Sequence, residues 1–155
     1  MFVLTLLYLV AFVDRQILAL LVTPIRRDLG ITQVEFSLLQ GLSFALFYTV
    51  LGIPLAWFAD AWSRRGLVAG GLCVWSGMTA ACGLASSYAE LFLARVGVGV
   101  GEAALSPAAY SWIAATFGRA RRASAIGVYS MGIYLGSGLA FVLGGRVVEF
   151  AARNE

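Results

Sequence analysis

The stretch Leu93-Ala-Arg-Val-Gly-Val-Gly-Val-Gly-Glu-Ala-Ala104 sets an arginine and a glutamate inside an otherwise apolar run. On an α-helix, residues seven apart differ by only about 20° in direction and lie about 10 Å apart along the axis. Arg95 and Glu102 therefore share one stripe, with Gly99 close to it. Held at the centre of a bilayer, each charge costs roughly 2.5–3.5 kcal/mol on insertion scales. Such residues belong against a polar interior rather than lipid. The run thus demands a membrane, partner charges and further helices around it.

The rest of the chain supplies them. Of its 155 residues, 61% are hydrophobic and 12% charged, against about 25% charged in a soluble domain. A bilayer crossing takes about 20 apolar residues, and five such runs are predicted, at about 2–22, 36–59, 66–85, 91–115 and 123–143. The first is broken only by Asp14 and Arg15 and ends at Pro24 and the polar segment 26–30. Pro54 and Pro107 predict kinks in the second and fourth spans. The reading is an all-α membrane bundle over 1–145 and a polar tail over 146–155 that leaves the membrane. The opening residues carry no basic lead and no cleavage site, so they read as a first membrane helix and not as a signal peptide.

Arginines in short links set orientation. Arg64 and Arg65 lie between spans two and three, and Arg119, Arg121 and Arg122 between spans four and five. Those two links are placed in the cytoplasm, with the N-terminus inside and the C-terminus outside. The location is a multi-pass integral membrane protein, expected in the inner (plasma) membrane of a bacterium.

Several function classes drop out. All eleven basic residues are arginine and no basic run interleaves with aromatics, so no nucleic-acid partner is expected. Histidine is absent, which removes histidine triads and most zinc sites; no metal and no cofactor are expected, and an intramembrane enzyme would lack its base and ligands. Cys73 and Cys82 are too far apart on one helix to bridge and read as small apolar core residues. Gly99-Val-Gly-Glu-Ala-Ala104 fits the dinucleotide pattern G-x-G-x-x-A, but that pattern needs a preceding strand and a βαβ unit, not the middle of a membrane span.

Small residues mark helix contacts. Gly132, Gly136, Ala140 and Gly144 recur every four residues, and Gly97 with Gly101 and Gly99 with Ala103 share that spacing. Such stripes let backbones approach closely. Gly138 is placed in the same packing set.

The charged groups carry the chemistry. Asp14 and Arg15 point about 100° apart on a helix, so they need not face one partner. A carboxylate in a low-dielectric site can bind a proton near physiological pH, whereas arginine stays charged. Glu102 or Asp14 is expected to hold either a proton or a counter-ion such as Arg95, and the exchange biases which side of the bundle is open. The plainer alternative is a static buried ion pair that fixes register. Asp60-Ala-Trp-Ser-Arg64-Arg65 puts an acid and two arginines at the cytoplasmic end of span two, where they can clamp neighbouring helix ends; taken alone, ordinary positive-inside topology is the simpler account.

With these residues in view, the chain resembles the major facilitator superfamily of secondary transporters. The superfamily loop motif G-x-x-x-D-R-x-G-R-K is matched by Ala56-Trp-Phe-Ala-Asp60-Ala-Trp-Ser-Arg64-Arg65, which keeps the acid and the final basic pair. Ala56, Ala61 and Ser63 depart from it and weaken the clamp. Arg95 matches the arginine of the fourth-helix motif. Within the superfamily the chain looks most like the spinster branch, through Asp14-Arg15, Leu38-Leu-Gln40, Arg95-x-x-x-Gly99-x-Gly101-Glu102-Ala103 and Gly136-Ser-Gly-Leu139. The resemblance implies a proton-linked or facilitative carrier of lysolipids and related amphiphiles. Asp14 and Glu102 would be the proton-responsive acids, with Arg95 and Arg15 as charge partners for them or for substrate.

The resemblance also implies three-helix units repeated with inverted topology. Spans one and four hold equivalent places in the first two units, and both carry charges here. Twelve helices make up the superfamily fold, so the chain reads as the first five of its N-terminal half. Its expected partners are membrane lipid, a small amphiphilic substrate, protons and the missing C-terminal half. Two competing readings are a carrier of sugar acids, organic anions or drugs, and a truncated membrane interaction protein that transports nothing.

Overall fold

The structure, a computed structural model, describes residues 1–61 and 63–153; of residues 44, 56, 58–61 and 151–153 it describes the backbone alone. Five helical stretches are long and apolar enough to cross a membrane: Phe2–Leu20, Gln33–Leu55, Arg64–Leu84, Tyr88–Thr116 and Arg119–Phe150. They match the five predicted spans in number and order, and no strand occurs among the described residues. Large apolar side chains such as Phe2, Ile53, Leu84, Tyr134 and Phe150 stand exposed on the outside. A soluble monomer rarely shows so wide an apolar surface.

Span one is α1 (Phe2–Leu20), followed by a short polar helix α2 (Val22–Leu29) that ends on Gly30. Gly30 has a φ of 63°, the left-handed region that glycine enters without steric cost. Span two begins earlier than the predicted Phe36. In α3 (Gln33–Ser37) the Thr32 hydroxyl accepts from the Glu35 amide at 3.2 Å, and Glu35 Oε2 accepts from the Thr32 amide at 2.8 Å. This capping box satisfies two otherwise orphaned donors. A π-turn at Leu38–Leu42 follows, and the buried Ser43 hydroxyl donates to the Leu39 carbonyl within it. The span continues as α4 (Ser43–Ala61), through Pro54.

Span three is α5 (Arg64–Leu84), capped by the Ser63 hydroxyl accepting from the Gly66 amide. Span four is two helices, α6 (Tyr88–Ala103) and α7 (Leu105–Thr116), separated at Ala104. Pro107 explains the break. It has no N–H to give the carbonyl four residues back, and its ring crowds that carbonyl. Span five is one continuous helix, α8 (Arg119–Arg153). The predicted polar tail continues α8 as far as Arg153. Arg146 and Glu149 are compatible with a helix; they only shorten its apolar part.

Span four is the centre: 61% of its apolar window is buried, against 6–22% for the others. α4 and α5 pack against α6, and α1 packs along α8. Glycines allow both approaches. A Cβ at Gly132 would lie 2.9 Å from the Thr5 carbonyl oxygen, and one at Gly136 2.9 Å from Phe12 Cβ. One at Gly101 would lie 2.7 Å from the Gly71 carbonyl oxygen on α5. Gly99 is buried on α6. Gly138 does not belong in this set, because a Cβ there would meet nothing within 4 Å. It lies two residues from Gly136, about 200° round the helix, and so misses α1. The cysteines also depart from expectation: Cys73 is exposed and Cys82 only partly buried. α5 lies on the rim, and among the described residues no helix covers one of its faces.

Candidate functional site

Span one and span four meet through charges. Arg15 on α1 reaches Glu102 on α6, with Nε donating to Oε2 at 2.8 Å and Nη2 at 2.6 Å from the same oxygen. Arg95 on α6 reaches back to Asp14 on α1, with Nη1 at 3.3 Å from Oδ2. Two ion pairs thus cross the gap between the helices. The stripe shared by Arg95 and Glu102 is real, but these two are not each other's partner. Two helical turns are too long for a direct bond, and the neighbours Asp14 and Arg15 diverge to answer both.

The four charges sum to zero in a buried place. The side chains of Arg95 and Glu102 are 5% and 1% exposed, those of Asp14 and Arg15 17% and 27%. Removing one member of a buried pair costs about 3–5 kcal/mol, because the other is left uncompensated. The set is nevertheless not saturated. Glu102 Oε1 and Arg95 Nε are buried without a hydrogen-bond partner among the described residues. In a low-dielectric place each such unpaired polar group is costly.

Aromatic groups extend the site on the Arg15 side. The Arg15 guanidinium carbon lies 5.1 Å from the ring centroids of both Phe12 and Tyr48. The Tyr48 hydroxyl donates to Ser106 Oγ at 3.2 Å. Tyr8 stacks on Tyr129 at 4.4 Å, and Tyr110 meets Tyr129 edge-on at 5.6 Å. The sequence reading did not single out Tyr8, Tyr48, Ser106, Tyr110 or Tyr129. A signal was present: 102, 106 and 110 recur every four residues, and Tyr8 lies seven before Arg15. The arrangement sets a cation beside ring faces and hydroxyls.

The loop motif is only partly in view. Arg64 Nε donates to Ser111 Oγ at 2.8 Å, and the Arg65 guanidinium lies 5.8 Å from the Trp112 ring centroid. These contacts tie the start of span three to the end of span four. The side chain of Asp60 lies outside the described residues. Among the described residues, no cluster of acids and cysteines could hold a metal ion.

Comparison with known proteins agrees with the fold. Residues 4–152 match the family model for the Major Facilitator Superfamily. The chain is 35% identical over 138 residues to an MFS-type efflux pump of Mycolicibacterium smegmatis, covering 89% of this chain and 32% of that protein. It is 32% identical over 149 residues to protein spinster homolog 1 of Rattus norvegicus, covering 92% and 27%. It is 32% identical over 133 residues to a D-galactonate transporter of Escherichia coli, covering 86% and 30%. Among solved structures it is similar to a bacterial homolog of the human lysosomal transporter spinster, in an inward-facing and occupied conformation. There the TM-score is 0.88 and the identity 41%, over 92% of this chain and 31% of that one. The chain thus spans about a third of the length of these relatives.

Proposed function

The chain belongs to the major facilitator superfamily, in its spinster-like part, and on that premise we propose that it supplies the first five helices of a proton-coupled carrier of a lysolipid or similar amphiphilic anion. The observation that carries the reading is the crossed pairing of Asp14 with Arg95 and of Arg15 with Glu102. In the proposed cycle, a proton on either acid discharges it and releases its arginine. The released arginine then pairs with the anionic group of the substrate, whose apolar body lies along Tyr8, Tyr48 and Tyr110. Deprotonation restores the ion pair and expels the anion. Each exchange changes how tightly α1 is held to α6, and alternating access needs such a bias.

The reading gains support from the spinster relatives and from the cation-and-aromatic make-up of the site. The carrier is placed in the inner membrane of a bacterium, with Arg64, Arg65 and Arg119 to Arg122 on the cytoplasmic side. Its remaining half would complete the cavity. The test is uptake into proteoliposomes by the full-length carrier. Glu102→Gln and Asp14→Asn each abolish uptake driven by a proton gradient while leaving counterflow exchange of substrate. Uptake that keeps its pH dependence after both changes refutes the coupling role.

A second reading keeps the mechanism and changes the cargo. The D-galactonate transporter and the efflux pump among the relatives favour a sugar acid, organic anion or drug. A substrate panel in the same proteoliposomes separates the two: lysolipid competition supports the first, competition by hexonates alone the second.

A further inference from the structure

A cavity lies on the Asp14 side of the ion pairs, away from the tyrosines. Its volume is about 360 Å³, and it opens between α1, α2, α5 and the start of α6. Asp14, Arg95, Thr79, Cys82 and Gly83 line it, and the exposed Asp28 of α2 stands on its rim. Asp28 belongs to the link between spans one and two, so the cavity runs from that face of the membrane inward to the Asp14–Arg95 pair.

Two of its donors have no partner. Thr79 Oγ1 and Arg95 Nε are buried and make no hydrogen bond among the described residues. Leaving a buried donor unsatisfied costs about 1–3 kcal/mol. Both atoms are closed off from the cavity surface, so the case for water rests on the polar groups of the wall itself, which hold it where a cavity is roomy. Here Asp14, Asp28, Thr79, Cys82 and Arg95 set polar groups among apolar walls formed by residues such as Ile17, Leu21, Ile25 and Leu91. Glu102, by contrast, is not part of this lining; its side chain is 1% exposed and faces Arg15.

We propose that this cavity is a hydrated vestibule that brings protons to Asp14 from the face bearing the links between spans one and two and between spans three and four, by a route separate from the substrate path. The groups facing Asp14 along it are Arg95 of α6, Asp28 of α2 and the Cys82 thiol of α5. Arg15, its chain neighbour, stands between it and Glu102. The vestibule rests on the proton-coupled reading for its purpose, but its hydration does not. Substrate and proton then reach the crossed pairs from different sides, so a bound substrate need not block the proton.

Cys82 reports on the vestibule directly. The chain is placed in sealed vesicles with Cys73→Ser, leaving Cys82 as its one thiol. It is then treated with the membrane-impermeant trimethylammonium-ethyl methanethiosulfonate. The thiolate attacks the reagent sulfur, methanesulfinate leaves, and the mixed disulfide is read by mass. Val34→Cys, exposed on α3, marks the side of the link. Cys82 is expected to react from that same side, at least about tenfold faster than Cys73 does in a Cys82→Ser chain, since Cys73 lies mid-span on the outer surface of α5, facing lipid instead of water, and access to water controls the rate. Gly83→Leu fits the backbone, because a Cβ there meets nothing within 4 Å. It fills the cavity, and the Cys82 rate falls about tenfold. A Cys82 that stays silent from that side, or a rate that Gly83→Leu leaves unchanged, overturns the vestibule. If uptake by the whole carrier proves independent of protons, the labelling result still stands by itself, so the two ideas fail separately.

Discussion

Replacing Gly136 by alanine tests how α1 is seated, and through it the placement of Arg15. A Cβ at 136 would stand 2.9 Å from Phe12 Cβ and 3.1 Å from the Leu9 carbonyl carbon, against the 3.4–4 Å of ordinary contact. Both obstacles are backbone or the root of a side chain, so neither can swing away. The helices must part by at least about 0.5 Å, and a gap of that size forfeits roughly a quarter of each contact across the seam. Overpacking of this kind costs about 1–3 kcal/mol. Alanine also gains about 1 kcal/mol of helix propensity over glycine, which would hide part of the loss. Gly138→Ala gains the same propensity and meets nothing, so it serves as the control. The readout is the difference between the two variants in thermal unfolding of the purified chain in detergent. At about 2–4 °C per kcal/mol for a chain of this size, Gly136→Ala should unfold roughly 2–12 °C below Gly138→Ala. Equal midpoints would refute the close packing of α1 on α8.

Thr32→Ala should cost about 1 kcal/mol by removing the N-cap of span two, seen as faster hydrogen exchange at the amide of Glu35. Arg65→Gln and Trp112→Ala should show a coupling of about 0.5–1 kcal/mol in a double-mutant cycle on unfolding, the size of a partly exposed cation–π contact; Trp112→Phe should retain part of it. Pro107→Ala restores an amide at the junction of α6 and α7, so residue 107 should become protected from exchange as span four turns into one helix. Rapid exchange there would show that the break has another cause.

Much of the bundle was legible because a bilayer imposes a length. Five apolar runs of the right size can hardly do anything else, and Pro107 announced the break in span four. The edges were harder. Thr32-x-x-Glu35 is a cap signature, yet the apolar run starts only at Phe36, so the hydrophobic pattern placed the span late. The far end of α8 shows the reverse. Apolar length says where a helix leaves lipid and says nothing about where it stops being a helix. The π-turn at Leu38–Leu42 left no mark in the periodicity.

The site was legible in its members and not in its pairing. The high cost of intramembrane charge singled out Asp14, Arg15, Arg95 and Glu102. A helical wheel relates residues of one helix, so it put Arg95 and Glu102 on one stripe and could not say which α1 group each would meet. That depends on how α1 and α6 face each other across the gap. The tyrosines were passed over for a related reason: each is an ordinary apolar-compatible residue in its own span, and they become a set only when α1, α4, α7 and α8 are assembled. Gly138 and Cys73 were misplaced because spacing along a helix does not show which of its faces has a neighbour.

The crossed pairing is the claim on which the transport mechanism depends, and coupling energies test it most directly. Double-mutant cycles on unfolding, with Arg15→Gln, Glu102→Gln, Asp14→Asn and Arg95→Gln, measure each pair separately. The account predicts about 0.5–3 kcal/mol of coupling for Arg15 with Glu102 and for Asp14 with Arg95, and markedly less for Arg95 with Glu102. Strong coupling between Arg95 and Glu102, with none across the two helices, would contradict it.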